Sequence, residues 1–275
     1  VQGRICAVEA LPGGPAHGAH SARRERRVIK AGISYRGYLA KAHGTMWRRT
    51  RMSDLIAERV QDFIERDTGH AYDILIIETP PQHGKSMTVT ETLPSWYMGA
   101  DPEAGVIIAS YDSDFAERFC RRNKEKIRAL GEELFGIRIG KVNRAEEFEL
   151  EAHRGRFISR GIMAGITGNP ASLIIIDDPV KNRMEADSET YRDRLWEEWQ
   201  NSIKSRLCAG GKVIVIMTPW HEDDLAGRML SLEKNVTGLY ISGHPLGDYS
   251  KALSALDMNT AHLSELLEAP DHGLS

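Results

Sequence analysis

Short uninterrupted apolar runs alternate along this chain with longer stretches of helical periodicity. Residues 73–78 (DILIIE), 105–110 (GVIIAS), 172–177 (SLIIID) and 212–217 (KVIVIM) are of strand length and apolar at consecutive positions. A strand with one wet face would alternate, so these runs predict strands covered on both faces. Between them, Leu55, Ile56, Val60, Phe63 and Ile64 recur at helical spacing over 53–66, with Ser53 or Asp54 as N-cap and Thr68-Gly69 past the end. Further helices are expected from about 85 to 98, over 112–131, over about 188–207 and over 222–231. In the second of these, Phe115, Phe119, Ile127 and Leu130 lie near one face; in the third, Leu195, Trp199 and Ile203 follow steps of four. Trp196 and Trp199, three apart, cannot both face fully inward. A strand pair at 146–151 and 156–160, with Gly155 at the turn, completes the pattern. Strands separated by helices predict an α/β fold: a mostly parallel sheet with helices on both faces.

Outside this core the pattern fades. Residues 1–30, rich in Gly, Pro, Ala, His and Arg, are expected to form a disordered basic leader. Residues 31–235 should form the folded domain. Residues 236–275 read as a tail with at most one amphipathic helix and no further sheet.

Composition narrows the class. The chain has 275 residues, 41% hydrophobic and 27% charged, which excludes collagen-like, low-complexity and wholly disordered proteins. No apolar stretch approaches the ~20 residues of a membrane-spanning helix. Cys6, Cys120 and Cys208 are too far apart for a CxxC site or a disulfide framework, and point to a reducing compartment. Net charge is −3, yet residues 21–51 hold ten Lys/Arg against Glu25 alone. That segment is either a nucleic-acid contact or a solvated leader.

Three segments carry candidate chemistry. Gly84-Lys85-Ser86 lies between a strand and a helix. There the turn and helix start can offer backbone N–H groups to phosphates, Lys85 a cation, and Ser86 a hydroxyl for Mg²⁺. The whole loop, Thr79-Pro80-Pro81-Gln82-His83-Gly84-Lys85-Ser86 and on to Met87, is the candidate nucleotide-binding segment, with Thr79 where the usual pattern has a glycine. His83 either touches phosphate or simply fills the turn. Ile174-Ile-Ile-Asp177-Asp178 ends a buried strand in carboxylates. Asp177 can hold Mg²⁺ and Asp178 can polarise the attacking water. This placement suggests the NTPase class in which an extra strand separates the two motif-bearing strands. Third, Thr218 stands at the tip of the last strand, where a polar group could sense the γ-phosphate. Asp223 and Asp224 follow as the start of the final helix, where acids favour the dipole; such a local run usually faces solvent. His221-Glu222 lacks the second histidine of an HExxH zinc site.

Together these motifs resemble the ATPase domain of large terminase subunits, the DNA-packaging motors of tailed bacteriophages. The resemblance rests on ETPPQHGKSMTVTETLPSWYMG, IIASYDSDFAERFCRRNKEKI, ITGNPASLIIIDDPVKN and TPWHEDDLAGR, and runs from about 35 to 230. It implies a P-loop fold of the RecA-like kind, ATP and Mg²⁺ as cofactors, and double-stranded DNA as the translocated substrate. It further implies the small terminase subunit, the portal protein and copies of the chain in a ring as partners, in a bacterial host cytoplasm with no membrane. Lys85 and Ser86 match the Walker A pair, Asp177 the Walker B metal residue, Asp178 the catalytic carboxylate and Thr218 the coupling motif. Two residues depart from the family pattern. Gln82 stands where the loop often has arginine, and Asp178 where glutamate is common. The family continues into a nuclease domain, which residues 240–275 do not resemble; no DNA cleavage is expected from this chain. A superfamily 2-type helicase or remodelling ATPase, and an inactive DNA-binding prophage remnant, are the competing readings.

Overall fold

The computed structural model describes residues 4–9, 32–47, 49–166 and 168–237, all within the unit Val1–Ser242. In chain order the strands are β1 (Arg4–Glu9), β2 (Tyr72–Glu78), β3 (Gly105–Ser110), β4 (Ile139–Asn143), β5 (Glu147–Leu150), β6 (Arg156–Gly161), β7 (Ala171–Asp177) and β8 (Leu207–Met217). The helices are α1 (Tyr35–His43), α2 (Arg51–Glu65), α3 (Lys85–Thr88), α4 (Leu93–Ala100), α5 (Ser113–Lys126), α6 (Glu132–Phe135), α7 (Arg183–Asp187), α8 (Glu189–Glu197) and α9 (Leu225–Thr237).

One eight-stranded sheet runs in the order β1-β2-β8-β7-β3-β6-β5-β4. The five strands β2, β8, β7, β3 and β6 are parallel, while β1, β5 and β4 join antiparallel at the margins. Because β8 lies between β2 and β7, this is the P-loop NTPase order with an extra strand between the strand entering the loop and the strand bearing the acidic pair.

The continuous apolar runs are explained by two covered faces. Leu75, Ile77, Val106, Ile108, Leu173, Ile175, Ile214 and Ile216 pack into one cluster with Tyr35, Phe63 and Trp96. Their neighbours in sequence, Ile74, Ile76, Ile107, Ile174, Ile176, Val213 and Val215, pack on the other face with Leu195, Trp199 and Met229. Strand side chains alternate faces, so a sheet sandwiched between helices is apolar at every position. Trp199 is the inward tryptophan of its pair, and Trp196 is only partly buried.

Several expectations are corrected. Arg4–Glu9, placed in the disordered leader, form β1 and pair antiparallel with Asp73 to Glu78 of β2, with Ile5 opposite Ile77. Without it, β2 would present a row of unpaired backbone groups. Residues 10–31, most of the expected leader, and the tail from 238 lie outside the described residues. The N-cap of α2 is Thr50, in a reciprocal capping box with Ser53, three residues before the earlier of the two expected caps. Leu55, read as part of the apolar face of that helix, is exposed.

The helix expected over 85–98 breaks into α3 and α4. Between them lies a stretch rich in β-branched residues (Val89, Thr90, Thr92), and Pro94 sits in the first turn of α4, where it suits a new helix start. The helix expected over 112–131 passes from α5 through a π-helical turn, Ile127–Gly131, into α6. That expected to 207 leaves α8 through a π-helical turn, Glu198–Ile203, and a 3₁₀ turn, Lys204–Arg206. β4 and α1 had no counterpart in the periodicity.

Of the basic segment 21–51, the described residues show Lys41 paired with Glu133 and Arg49 with Asp54. These two cations therefore already have acidic partners within the fold.

At the end of the sheet away from the loop, Lys212 Nζ lies 2.6 Å from Asp73 Oδ2 and 2.6 Å from the Arg66 carbonyl oxygen. Its ammonium also sits over the Phe63 ring, 5.1 Å from the centroid. Thr68 Oγ1 donates to Asp73 at 2.7 Å. Burial pushes the Asp73 carboxyl up, but the hydrogen bonds from Lys212, Thr68 and His70 outweigh it and hold the pKa below its ordinary value. A depressed carboxylate stabilises the fold above its unfolded pKa, and that contribution is lost as pH falls through the folded value. Asp73→Asn leaves Lys212 buried without its counter-ion, and is expected to lower unfolding stability by about 3 kcal/mol at neutral pH. The gap from wild type should start to narrow as pH falls through about 4 and close only below the folded pKa of Asp73, which lies lower. Urea unfolding at several pH values measures both effects, and a gap that does not narrow at all as pH falls through the acid range would exclude the ion pair as its source.

Candidate functional site

The C-terminal ends of β2, β8 and β7 converge on one site. After Glu78 the chain turns through Thr79, whose N–H donates to the Met217 carbonyl at 3.3 Å and ties the loop base to β8. Pro81, Gln82 and His83 form the exposed outer rim. His83 Nδ1 lies 2.9 Å from the Pro81 carbonyl oxygen, so its ring braces the loop from within. Gln82 and Gly84 have φ of 64° and 72°. Gly84 adopts this left-handed conformation without strain and caps α3. Gln82 does so at a cost, the kind of local strain found at ligand-binding loops.

Lys85 opens α3 and is buried at 5% exposure. Its Nζ donates to Thr218 Oγ1 at 2.6 Å and lies 3.1 Å from Asp178 Oδ1. The Thr218 N–H donates to the same Asp178 oxygen at 3.0 Å. Asp178, with φ of 41°, donates its own N–H to the Ile216 carbonyl at 2.8 Å. The tips of β7 and β8 are thus cross-tied, with the lysine of the loop bonded to both.

Ser86 Oγ donates to Asp177 Oδ1 at 3.1 Å. Asp177 is fully buried, and its Oδ2 has no hydrogen-bond partner. Burial raises its pKa to about 7. Asp178 adds to the rise, while the hydroxyls of Thr90 and Ser86 and the charge of Lys85 oppose it. Thr90 acts from nearby without reaching hydrogen-bonding geometry, as its hydroxyl is also unpartnered. An orphaned carboxylate oxygen beside a serine hydroxyl is an arrangement that a hard divalent cation satisfies. Among the described residues no group of three His, Cys, Asp or Glu could hold a metal by itself. A cation held by Ser86 and Asp177 would complete its coordination with water or with oxygens of a ligand, as Mg²⁺ does when it binds with phosphates.

Ser86 also lines a cavity of about 700 Å³ whose opposite wall is α5, with Arg118, Arg121 and Arg122 facing it. The structure therefore brings together Lys85, Ser86, Asp177, Asp178 and Thr218. Thr79 is buried at the loop base, and Pro80 and Met87 are partly covered beside it.

The chain matches, over residues 76–262, the family described as terminase large subunit, T4likevirus-type, N-terminal. The chain belongs to this family. It is 31% identical over 119 residues to DNA polymerase III subunit alpha of Xylella fastidiosa (strain Temecula1), a match covering 42% of this chain and 10% of that protein. The chain thus spans about a tenth of the length of that curated relative. Among solved structures, the large terminase of bacteriophage HK97 superposes with a TM-score of 0.47 at 12% identity, over 69% of this chain and 37% of that one. The ATPase domain of a Thermus phage large terminase gives 0.41 at 14% identity, over 84% and 92%. The P-loop order of the sheet is read from its own strands, and the family from the sequence match. Family membership also decides against the helicase reading. Among the described residues no helix is long and apolar enough to cross a membrane.

Asp224 is the helix start that its position suggests: its Oδ1 accepts from the Gly227 N–H at 2.9 Å. The expectation that the acidic run Glu222-Asp223-Asp224 faces solvent holds for Glu222 and is corrected for its neighbours: Asp224 is buried, and the half-exposed Asp223 bridges two guanidinium groups, those of Arg228 and Arg192. Arg192 and Tyr191 were not singled out in the sequence. Nothing in a helical stretch marks which of its polar residues will meet a loop 31 positions away.

Proposed function

We propose that the chain hydrolyses Mg-ATP at this site and couples the turnover to movement of double-stranded DNA, as a motor subunit of a phage or prophage packaging terminase. The observation that carries this reading is the convergence of a buried lysine, a hydroxyl–carboxylate pair and a second carboxylate at the tips of three adjacent parallel strands. The loop's backbone N–H groups and the Lys85 ammonium bind the phosphates. Ser86 and Asp177 hold Mg²⁺, whose chemistry when bound is Lewis-acid stabilisation of phosphoryl oxygens. Phosphate draws Lys85 away from Asp178, and this frees the carboxylate to orient a water and accept its proton. Thr218, already bonded to Lys85, lies where loss of the terminal phosphate would be felt. Family membership supports DNA as the cargo. It also supports the small terminase subunit, the portal protein and further copies of this chain in a ring as partners.

Asp178→Asn tests the assignment. It is expected to leave nucleotide binding intact while lowering turnover about a hundredfold or more, the range for loss of a general base. Binding is read by titration with a fluorescent ATP analogue and turnover by phosphate release. Weak binding with normal turnover would assign Asp178 a structural role instead.

A further inference from the structure

The two chain segments that leave the site, one after Asp178 and one after Thr218, are held by three consecutive residues of α8. Tyr191 Oη donates to the Pro179 carbonyl at 3.1 Å, one residue beyond Asp178. Arg192 Nε donates to Asp223 Oδ2 at 3.2 Å, and its Nη1 to the Ala186 carbonyl at 2.8 Å in α7. Asp193 Oδ1 accepts from Arg228 Nη2 at 2.8 Å. Arg228 in turn grips Asp223 with both prongs, Nε to Oδ1 at 2.8 Å and Nη2 to Oδ2 at 2.6 Å.

The two cations and two carboxylates balance, and both guanidinium groups are mostly buried, at 10% and 18% side-chain exposure. Forked pairs of this kind fix direction as well as distance. α8 is itself anchored to the sheet through buried Leu195, and the π-helical turn that follows it through buried Trp199. Asp224 caps α9, and Trp220 packs on the same core, so the segment from Thr218 to Asp224 has little freedom left. Its one end fixes the Thr218 N–H on Asp178, and its other end is held by Asp223.

We propose that Asp223, Arg192 and Tyr191 are positioning residues for nucleotide turnover. They form a bracket on α8 that holds Asp178 and Thr218 in register with the phosphate loop, and carries any shift of those tips into α8 and α9. The proposal rests on the ATPase reading above. The bracket's hydrogen bonds go to Pro179, Asp223 and Ala186 and reach none of Lys85, Ser86 and Asp177, so it is expected to act on the rate rather than on binding. A displacement of a reacting group by about 1 Å can cost up to a hundredfold in rate.

The test compares Asp223→Asn and Arg192→Lys with the wild-type chain by two readouts. Hydrogen exchange without nucleotide should be about tenfold or more faster across 218–224 in Asp223→Asn, and faster by a smaller factor in Arg192→Lys, where Arg228 still holds Asp223, with β2 and β7 unchanged in both. Steady-state kinetics should show kcat lower by about tenfold with KM for ATP within about twofold, the signature of an interaction needed only in the transition state. Arg192→Lys keeps the charge and serves if Asp223→Asn folds poorly. Unchanged exchange over 218–224 overturns the bracket. Faster exchange with wild-type kcat, or a raised KM with kcat intact, overturns the positioning role. If Lys85→Ala turns over ATP as well as wild type, the nucleotide reading has failed instead. The exchange experiment needs no nucleotide and still decides whether the bracket exists.

Discussion

Lys85→Ala is expected to lower Mg-ATP turnover by about a thousandfold, the scale set by removing one preorganised charge-stabilising donor. Lys85 is buried, and its ammonium is shared between Thr218 Oγ1 and Asp178 Oδ1, at 2.6 and 3.1 Å. No other cation of the 79–87 segment can replace it, since Gln82 is neutral and His83 braces its own loop. The loss therefore removes both the charge that meets the β- and γ-phosphates and the group that links the loop to β8. Asp178 is 31% exposed, so water can solvate its carboxylate once the lysine is gone. The fold should survive, with a melting temperature within a few degrees of wild type. Phosphate release under saturating ATP and Mg²⁺ is the measurement. Turnover within tenfold of wild type would remove Lys85 from the site.

The second large effect is expected at Asp177. Asp177→Asn should abolish Mg²⁺-dependent turnover, by about a thousandfold or more, because the amide cannot supply the anionic oxygen that a hard divalent cation requires. The same substitution should not unfold the chain. Asp177 is wholly buried and its pKa is raised to about 7, chiefly by burial. A raised carboxyl binds more protons in the folded than in the unfolded state, so it weakens the fold progressively as pH rises from about 4 to about 7. The isosteric amide removes that burden. The variant should therefore be at least as stable as the metal-free wild type at pH 8, and the advantage should vanish near pH 4. Thermal melts across pH, beside phosphate release, separate the two effects. An Asn variant that retains Mg²⁺-dependent turnover would move the metal elsewhere, whatever its stability.

The parts legible without coordinates share a physical reason. Strands buried on both faces must be apolar at every position, so β2, β3, β7 and β8 stood out as unbroken runs. Asp177, Asp178 and Thr218 lie at or one residue beyond such a run's end, and Gly84, Lys85 and Ser86 follow the end of β2 by one short loop; in a parallel sheet those ends share one edge. Elements with weaker local signals were missed. β4 is short and half-exposed, and β1 is defined by its pairing with β2. The break between α3 and α4 combines mild propensity penalties at Val89, Thr90 and Thr92 that no single one of them would impose.

The sequence by itself therefore determined that β2, β3, β7 and β8 form, which of them end in polar groups, and which of those groups suit phosphate and metal. It suggested an extra strand between the two motif-bearing strands, and only the tertiary structure decided that this strand is β8, inserted between β2 and β7. That insertion places Thr218 against Lys85 across 133 residues of chain. It also decided that Asp223, an ordinary acid in a polar run, is clasped by Arg192 and Arg228, and that Tyr191 reaches the turn after Asp178. Burial leaves its mark at every position of a run, so it can be read locally. An ion pair or a strand order is a relation between distant segments, and it exists only once the hydrophobic faces have brought those segments together.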